Sequence, residues 1–309
     1  MKMTLDKVVT GKQRKPVRLL MHGTEGVGKS TFAASAPAPI FLCAESGTNH
    51  LDIARFPTPE SWGDVLDAVS TLTTEKHEYQ TLVVDTVDWL EPLCFAHVIA
   101  TAPMDKSGKK PTCIEDVGGG YGRGYTAAVD AWIGLMARLE RLQHEHKMHV
   151  VVLAHSWIKA FANPEGADYD RFELKLNKNA SAKWREWVDA MLFATYDTAV
   201  KIDGQKTTGI STGSRIVRTE RRAAFDAKNR YGLPFQLPLD WSEFWTAYEA
   251  GQPVDIQSTI DEALALVKGN AELHAKVSAM AAKVGKDATK AAQLLDWTRG
   301  KMSTTQEAK

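Results

Sequence analysis

Residues Gly23-Thr24-Glu25-Gly26-Val27-Gly28-Lys29-Ser30 reproduce the spacing G-x-x-x-x-G-K-[ST] in full. Such a loop needs a strand before it and a helix after it. Its glycines let the backbone wrap closely enough for several N–H groups to face an anion, and the helix adds its positive N-terminal end. Both neighbours are present. Val17 to His22 reads as a short buried strand, and Lys29 to Ala36 as a helix stopped by Pro37 and Pro39. The anion that fits is a nucleotide triphosphate. Lys29 is expected to reach its β- and γ-phosphates, Ser30 to bind Mg²⁺ through its hydroxyl, and Thr31 to support the turn, which makes ATP and Mg²⁺ the expected ligands.

The pattern downstream alternates. Ile40 to Ala44 is an apolar strand ending at Glu45. Ser61 to Leu72 has helical spacing, with Trp62, Val65, Leu66 and Val69 on one face. Thr81 to Asp85 is a third strand, Glu91 to Ala100 a helix, and Pro103 to Gly124 a loop. Thr126 to His146 is an amphipathic helix, and Val150 to Ala154 a fourth strand ending at His155. Apolar strands alternating with helices predict an α/β fold: a mostly parallel central sheet flanked by helices. Late strands over Ala190 to Ile202 and Ile210 to Thr219 follow, some antiparallel. Next comes a helix over Asp240 to Ala250, with Trp241, Phe244, Trp245 and Tyr248 on one face.

The 309 residues, 44% hydrophobic and 25% charged, suit a globular protein. They divide into an N-terminal arm (1–16), an ATPase core (17–239) and a small C-terminal helical region (240–309). In the last, Thr259 and Glu262 offer a capping box, Gly269 a stop, and Ser303 to Lys309 a disordered tail. No apolar run approaches the roughly 18 residues that span a bilayer, and the basic N-terminus lacks the apolar block of a secretory signal. Cys43, Cys94 and Cys113 are scattered without C-x-x-C spacing, which argues against disulfides or zinc and for a cytoplasmic protein. His144, His146 and His149 are spaced poorly for a helical metal site and read as exposed. Net charge is zero, so any polyanion site must be a local patch.

Two acids complete the phosphate site. Asp85, at a strand end downstream of the loop, has the Walker B placement that holds the Mg²⁺ shell. Glu45, at the end of the intervening strand, is the candidate general base for water. Asp88, three positions after Asp85, is less obviously placed.

Together these residues resemble the RecA-like ATPase core. Ile40 to Glu45 looks like its catalytic-glutamate strand, Leu82 to Asp85 like its Walker B strand, and Val151 to His155 like the strand whose last residue senses the γ-phosphate, usually a Gln. More narrowly, the chain resembles phage-encoded nucleotide-binding proteins, some of them single-strand-annealing recombinases of the Sak type. That resemblance rests on the P-loop, Tyr121-Gly122-Arg123-Gly124-Tyr125, the His155 strand and Ala227-Lys228-Asn229-Arg230-Tyr231-Gly232-Leu233-Pro234. It implies a homo-oligomer, ring or filament, in which Lys228 and Arg230 reach a neighbouring subunit's γ-phosphate. It also implies two loops that hold single-stranded DNA, and cooperation with a single-stranded-DNA-binding protein. The first loop carries Lys106, Lys109, Lys110 and Arg123. The second carries Trp157, Lys159 and Phe161, then Arg171, Lys175, Lys178, Lys183 and Arg185, where cations interleave with aromatics as single strands require. Three functions remain open: ATP-dependent recombination or annealing, a ring helicase or helicase loader, and a non-hydrolysing switch that recruits a replication partner.

Overall fold

In the computed structural model, which describes residues 3–104, 108–203, 206–252, 256–285 and 288–307, the apolar runs become neighbouring strands. In chain order the larger unit, Lys15–Gly251, comprises β1 (Arg18–Gly23), α1 (Lys29–Ala34), β2 (Pro39–Cys43), β3 (Ala54–Arg55), α2 (Trp62–Thr74), β4 (Thr81–Asp85), α3 (Val87–Thr101) and α4 (Arg123–Glu145). It continues with β5 (His149–Phe161), β6 (Tyr169–Leu174), α5 (Lys178–Trp187), β7 (Ala190–Asp203), β8 (Lys206–Arg218), β9 (Lys228–Asn229), β10 (Gln236–Pro238) and α6 (Trp241–Gly251). The sheet order is β10-β8-β7-β1-β5-β4-β2-β3, with β6 paired to β5 and β9 to β7. From β7 to β3 every neighbour is parallel, whereas β8 and β10 add antiparallel.

Side chains alternate across a strand, and here the alternation divides two cores. Leu20, Leu42, Leu82, Val84, Val150 and Val152 meet α2, α3, α4 and α5. Leu19, Met21, Phe41, Val83, Val151 and Leu153 meet Phe32 of α1 and Trp241, Phe244 and Tyr248 of α6. The expected boundary at 239/240 therefore cuts off a helix that the larger unit needs to cover its second face. On the first face Trp132 packs edge-on against Trp62 at 4.9 Å and Trp184 at 5.5 Å.

Several elements run beyond their sequence expectation. α3 begins at Val87 rather than Glu91, and α4 begins at Arg123, inside the expected loop. β5 does not end at His155. It leaves the parallel sheet and pairs antiparallel with β6 from Ser156 to Phe161. β7 and β8 likewise form a long hairpin past the sheet edge.

The other unit, Met1–Arg14 with Gln252–Lys309, contains α7 (Ile256–Leu266), α8 (Ala271–Ala281) and α9 (Ala288–Glu307) around Ala263, Val267, Val277, Val284, Ala291 and Leu294. Because α7 starts at Ile256, Thr259 lies inside it rather than capping it. Asn270 caps α8 by accepting from Leu273 N at 3.1 Å. The expected disordered tail is helical as far as Glu307. Among the described residues no helix is long and apolar enough to cross a membrane.

His22 of β1 is fully buried between Ser156 Oγ and the Asp226 carbonyl, 2.9 Å from each. A carbonyl only accepts, so Nε2 carries the proton and Nδ1 accepts from Ser156. Burial lowers its pKa from 6.5 to about 4. The unfolded chain thus takes up a proton before the folded one does. The stability linked to His22 is full above pH 6.5 and falls until about pH 4. Glu91 of α3, pushed up to about 7 by burial, has the opposite slope. Substitution of His22 separates the two. Between about pH 7.5 and 4.5, wild type is expected to lose roughly 2–3 kcal/mol more stability in urea denaturation than His22→Gln, at about 1.4 kcal/mol per tenfold change in proton affinity. Equal losses would refute the assignment.

Candidate active site

The parallel strands deliver their C-terminal ends to one edge, where β1, β2, β4 and β5 present Gly23, Glu45, Asp85 and His155. Gly26 and Gly28 adopt φ of +71° and +105°, the left-handed region that favours glycine. Gly23 is needed for another reason: a Cβ there would collide with the Ala194 carbonyl of β7. Val27 is fully buried under the loop and anchors it. Lys29, only 6% exposed, donates to the carbonyls of Gly23 at 3.1 Å and Thr24 at 2.9 Å. Burial lowers its pKa, opposed by Asp85, Asp88, Glu25 and Glu45.

Ser30 Oγ donates to Asp85 Oδ2 at 2.6 Å. Asp85 is 3% exposed, and burial raises its pKa. A hydroxyl and a carboxylate are the hard oxygen donors that Mg²⁺ takes alongside substrate phosphates, so the pair fits that ion. The surrounding cleft, about 430 Å³, is lined by Glu25, Gly26, Gly28, Lys29, Ser30, Thr31, Glu45, Asp85 and His155, among others. The phosphate and acid residues named from the sequence, apart from Gly23, Thr24 and Val27 in the loop itself, thus share one wall. Burial raises the pKa of Glu45, which makes it a better proton acceptor when ionised.

Asp88 supplies what the sequence reading missed. One of its oxygens accepts from His155 N, the other from His155 Nδ1, both at 2.8 Å. Burial pushes Asp88 up, but these bonds outweigh it and hold the carboxyl below its ordinary value. An ionised Asp88 accepts from Nδ1–H, which fixes the imidazole orientation and leaves Nε2 for other partners. The usable signal was the Asp85-x-x-Asp88 spacing, which sets Asp88 on the first turn of α3.

The Lys228/Arg230 expectation needs correction. Lys228 Nζ donates to the carbonyls of Arg185 (2.8 Å), Glu186 (3.0 Å) and Val188 (2.5 Å), closing the C-terminus of α5 within its own chain. It is not free to reach a neighbour. Arg230 pairs with Asp189 at 3.2 Å and is the more exposed of those two.

The DNA cations also sort differently. Arg171 is 2% exposed, its guanidinium 4.9 Å over the Phe161 ring and 3.6 Å from Asp226. Arg185 pairs with Asp226 at 2.8 Å and Lys183 with Glu186 at 2.8 Å. Arg123 donates to the Gly118 carbonyl at 2.6 Å and so braces its own loop. Lys109 and Lys110 are exposed; Lys106 lies outside the described residues. Lys175 lines the phosphate cleft instead. Lys159 and Lys178 line a second groove of about 710 Å³, with Tyr121, Gly122, Tyr125, Thr126, Trp157, Leu176, Asn177 and Asn179. His149, expected to be exposed, is half-buried, accepting from Val17 N at 2.8 Å.

If Lys228 is a cap, Lys228→Met should destabilise the protein by about 1–3 kcal/mol, the loss of charged hydrogen bonds to carbonyls. Turnover per folded molecule should stay within about threefold, far below the 10³–10⁵-fold loss of an arginine-finger-type cation. Urea denaturation and turnover assays read the two effects. Unchanged stability with collapsed turnover would restore the role in trans.

A family model described as an AAA domain matches residues 15–231. Comparison with curated proteins returns no match. Among solved structures, a crystal structure of the RadB recombinase is similar, with 13% identity, a TM-score of 0.36, and coverage of 68% of this chain and 84% of that one. Because that family model matches more than half of its length, the chain belongs to the AAA domain family.

Proposed function

We propose that this protein hydrolyses Mg·ATP and acts on single-stranded DNA in recombination or strand annealing, the role implied by its resemblance to phage-encoded proteins. The observation that carries the ATPase reading is the Ser30–Asp85 hydrogen bond beside a buried Lys29, with Glu45 lining the same cleft. Bound Mg²⁺ would neutralise charge on the phosphate oxygens. Lys29 binds the phosphates, Glu45 takes a proton from the attacking water, and His155, held by Asp88, meets the terminal phosphate.

The groove supports the nucleic-acid half. Tyr121 is 99% exposed and sits at φ +54° among glycines at positions 118, 119, 120 and 122 that are also left-handed. A non-glycine residue held there points to function. Trp157 is 44% exposed, with Lys159 Nζ 5.7 Å from its ring centre. Flat rings beside cations suit unstacked bases and their phosphates, each stacked base contributing ~1–3 kcal/mol. Assembly into a homo-oligomer belongs to the same reading, with the exposed Arg230 as the member of its pair still open to a neighbour.

Glu45→Gln should lower ATP turnover by about 100-fold or more while nucleotide affinity is retained. Unchanged turnover removes Glu45 as the base. A wild type that binds ATP without turnover favours the non-hydrolysing switch.

Trp157→Ala should weaken binding of a labelled oligo-dT by roughly tenfold without lowering the melting temperature, since the ring is half exposed. Lys159→Ala should reduce the salt slope of that binding by about 0.7. Affinity that ignores both substitutions rules out the groove. Unwinding of forked DNA instead of annealing would favour the motor.

A further inference from the structure

The cleft has a cation that the phosphate motif does not provide. Arg215 of β8 lines it, and Arg215 Nη1 lies 2.6 Å from where a Cβ on Gly28 would sit. The approach is built into the hairpin. Tyr196 of β7 is the cross-strand partner of Arg215 and donates through Oη to the Gly26 carbonyl at 3.3 Å. The register shifts directly after that pair, between Tyr196 and Thr198, an irregularity that re-aims side chains. On the other side, Leu239 N donates to the Arg215 carbonyl at 2.9 Å. The backbone of Arg215 is therefore held by two neighbours. Its guanidinium, by contrast, has no carboxylate or hydrogen-bond acceptor among the described residues. Arg218, three residues further along β8, is partnered by Asp197 at 4.0 Å and the Phe235 ring at 5.1 Å.

Sheet order decides which end of a bound polyphosphate Arg215 meets. β8 lies beyond β7, on the opposite side of β1 from β5 and β4. Asp85, Asp88 and His155 stand on that far side. The hydrolytic acids and the terminal phosphate belong there. Arg215 reaches the loop from the other flank, at Gly28.

Resting on the reading of this cleft as a nucleotide site, we propose that Arg215 is a further nucleotide-binding residue. It is supplied by the same chain and pairs with the inner phosphates common to ADP and ATP. A guanidinium suits this because its fork binds two phosphate oxygens at once. The consequence is a site whose cation is present in each subunit without a neighbour.

The test is titration of fluorescent ADP and ATP analogues with Mg²⁺ against wild type, Arg215→Ala and Arg215→Lys, alongside the nucleotide-induced rise in melting temperature. Arg215→Ala should weaken both nucleotides by roughly 10- to 100-fold, and Arg215→Lys should recover part of the loss. The melting temperature without nucleotide should not move, because Arg215 is exposed. Mixing Arg215→Ala with Lys29→Ala, which keeps Arg215 but lacks the phosphate-binding ammonium, should restore nothing. Restored binding in the mixture would mean that Arg215 acts between subunits and would overturn the proposal. Wild-type affinity in Arg215→Ala would overturn it alone. A wild type that binds neither nucleotide would overturn this proposal together with the nucleotide site.

Discussion

A buried ammonium has to be surrounded by anions and acceptors, and Lys29 imposes that demand on the end of the sheet. Two carbonyls of its own loop bind it, and Asp85, Asp88, Glu25 and Glu45 offset the burial that would otherwise neutralise it. Those acids come from the loop, the end of β2, the end of β4 and the start of α3. They converge only because β2 and β4 are parallel neighbours, with β5 between β4 and β1. The sheet order thus answers the electrostatic demand of one charged side chain, and the same convergence leaves a cleft lined by Lys29, Ser30, Glu45 and Asp85.

Two hairpins carry the chain past that edge and give the cleft its surroundings. β5 brings His155 to the cleft and, two residues later, Trp157 to the groove. The return strand β6 leads to Lys175 at the cleft and Asn177 at the groove. Lys175 N donates to the His155 carbonyl at 2.9 Å, tying the strands at the point where they part. α3 spans the same two places. Asp88 holds His155, and one turn on Glu91 accepts from Asn177 N at 2.9 and 3.1 Å. Cleft and groove therefore share a wall of hydrogen-bonded elements. β7 and β8 form the opposite rim, where Tyr196 and Arg215 meet the phosphate loop.

The segment from Ala224 to Leu233 acts as a staple within this arrangement. Phe225 stacks on Phe193 at 4.7 Å, and the Asp226 carboxylate gathers Arg171, Arg185 and Arg221. Lys228 closes α5, and Asn229 bonds both backbone groups of Leu233 across the turn.

Short-range rules were enough for the phosphate loop, the buried strands, the helix on either side of them, and the acids Glu45 and Asp85 at strand ends. Each depends on the spacing of residues within one or two elements, and spacing is what a sequence records. Asp88 stood in the right place, but its task depended on His155 at the end of a distant strand. The charges were less legible still. Arg171 and Arg185 looked like a DNA surface until Asp226, far along the chain, was folded against them. Lys228 looked like a reach toward a neighbour until α5 ended beside it, and Arg215 carried no motif at all. Tertiary structure decided these because a charge takes its meaning from whichever partner the fold brings within a few ångströms, and that partner is set by the long-range pairing of strands.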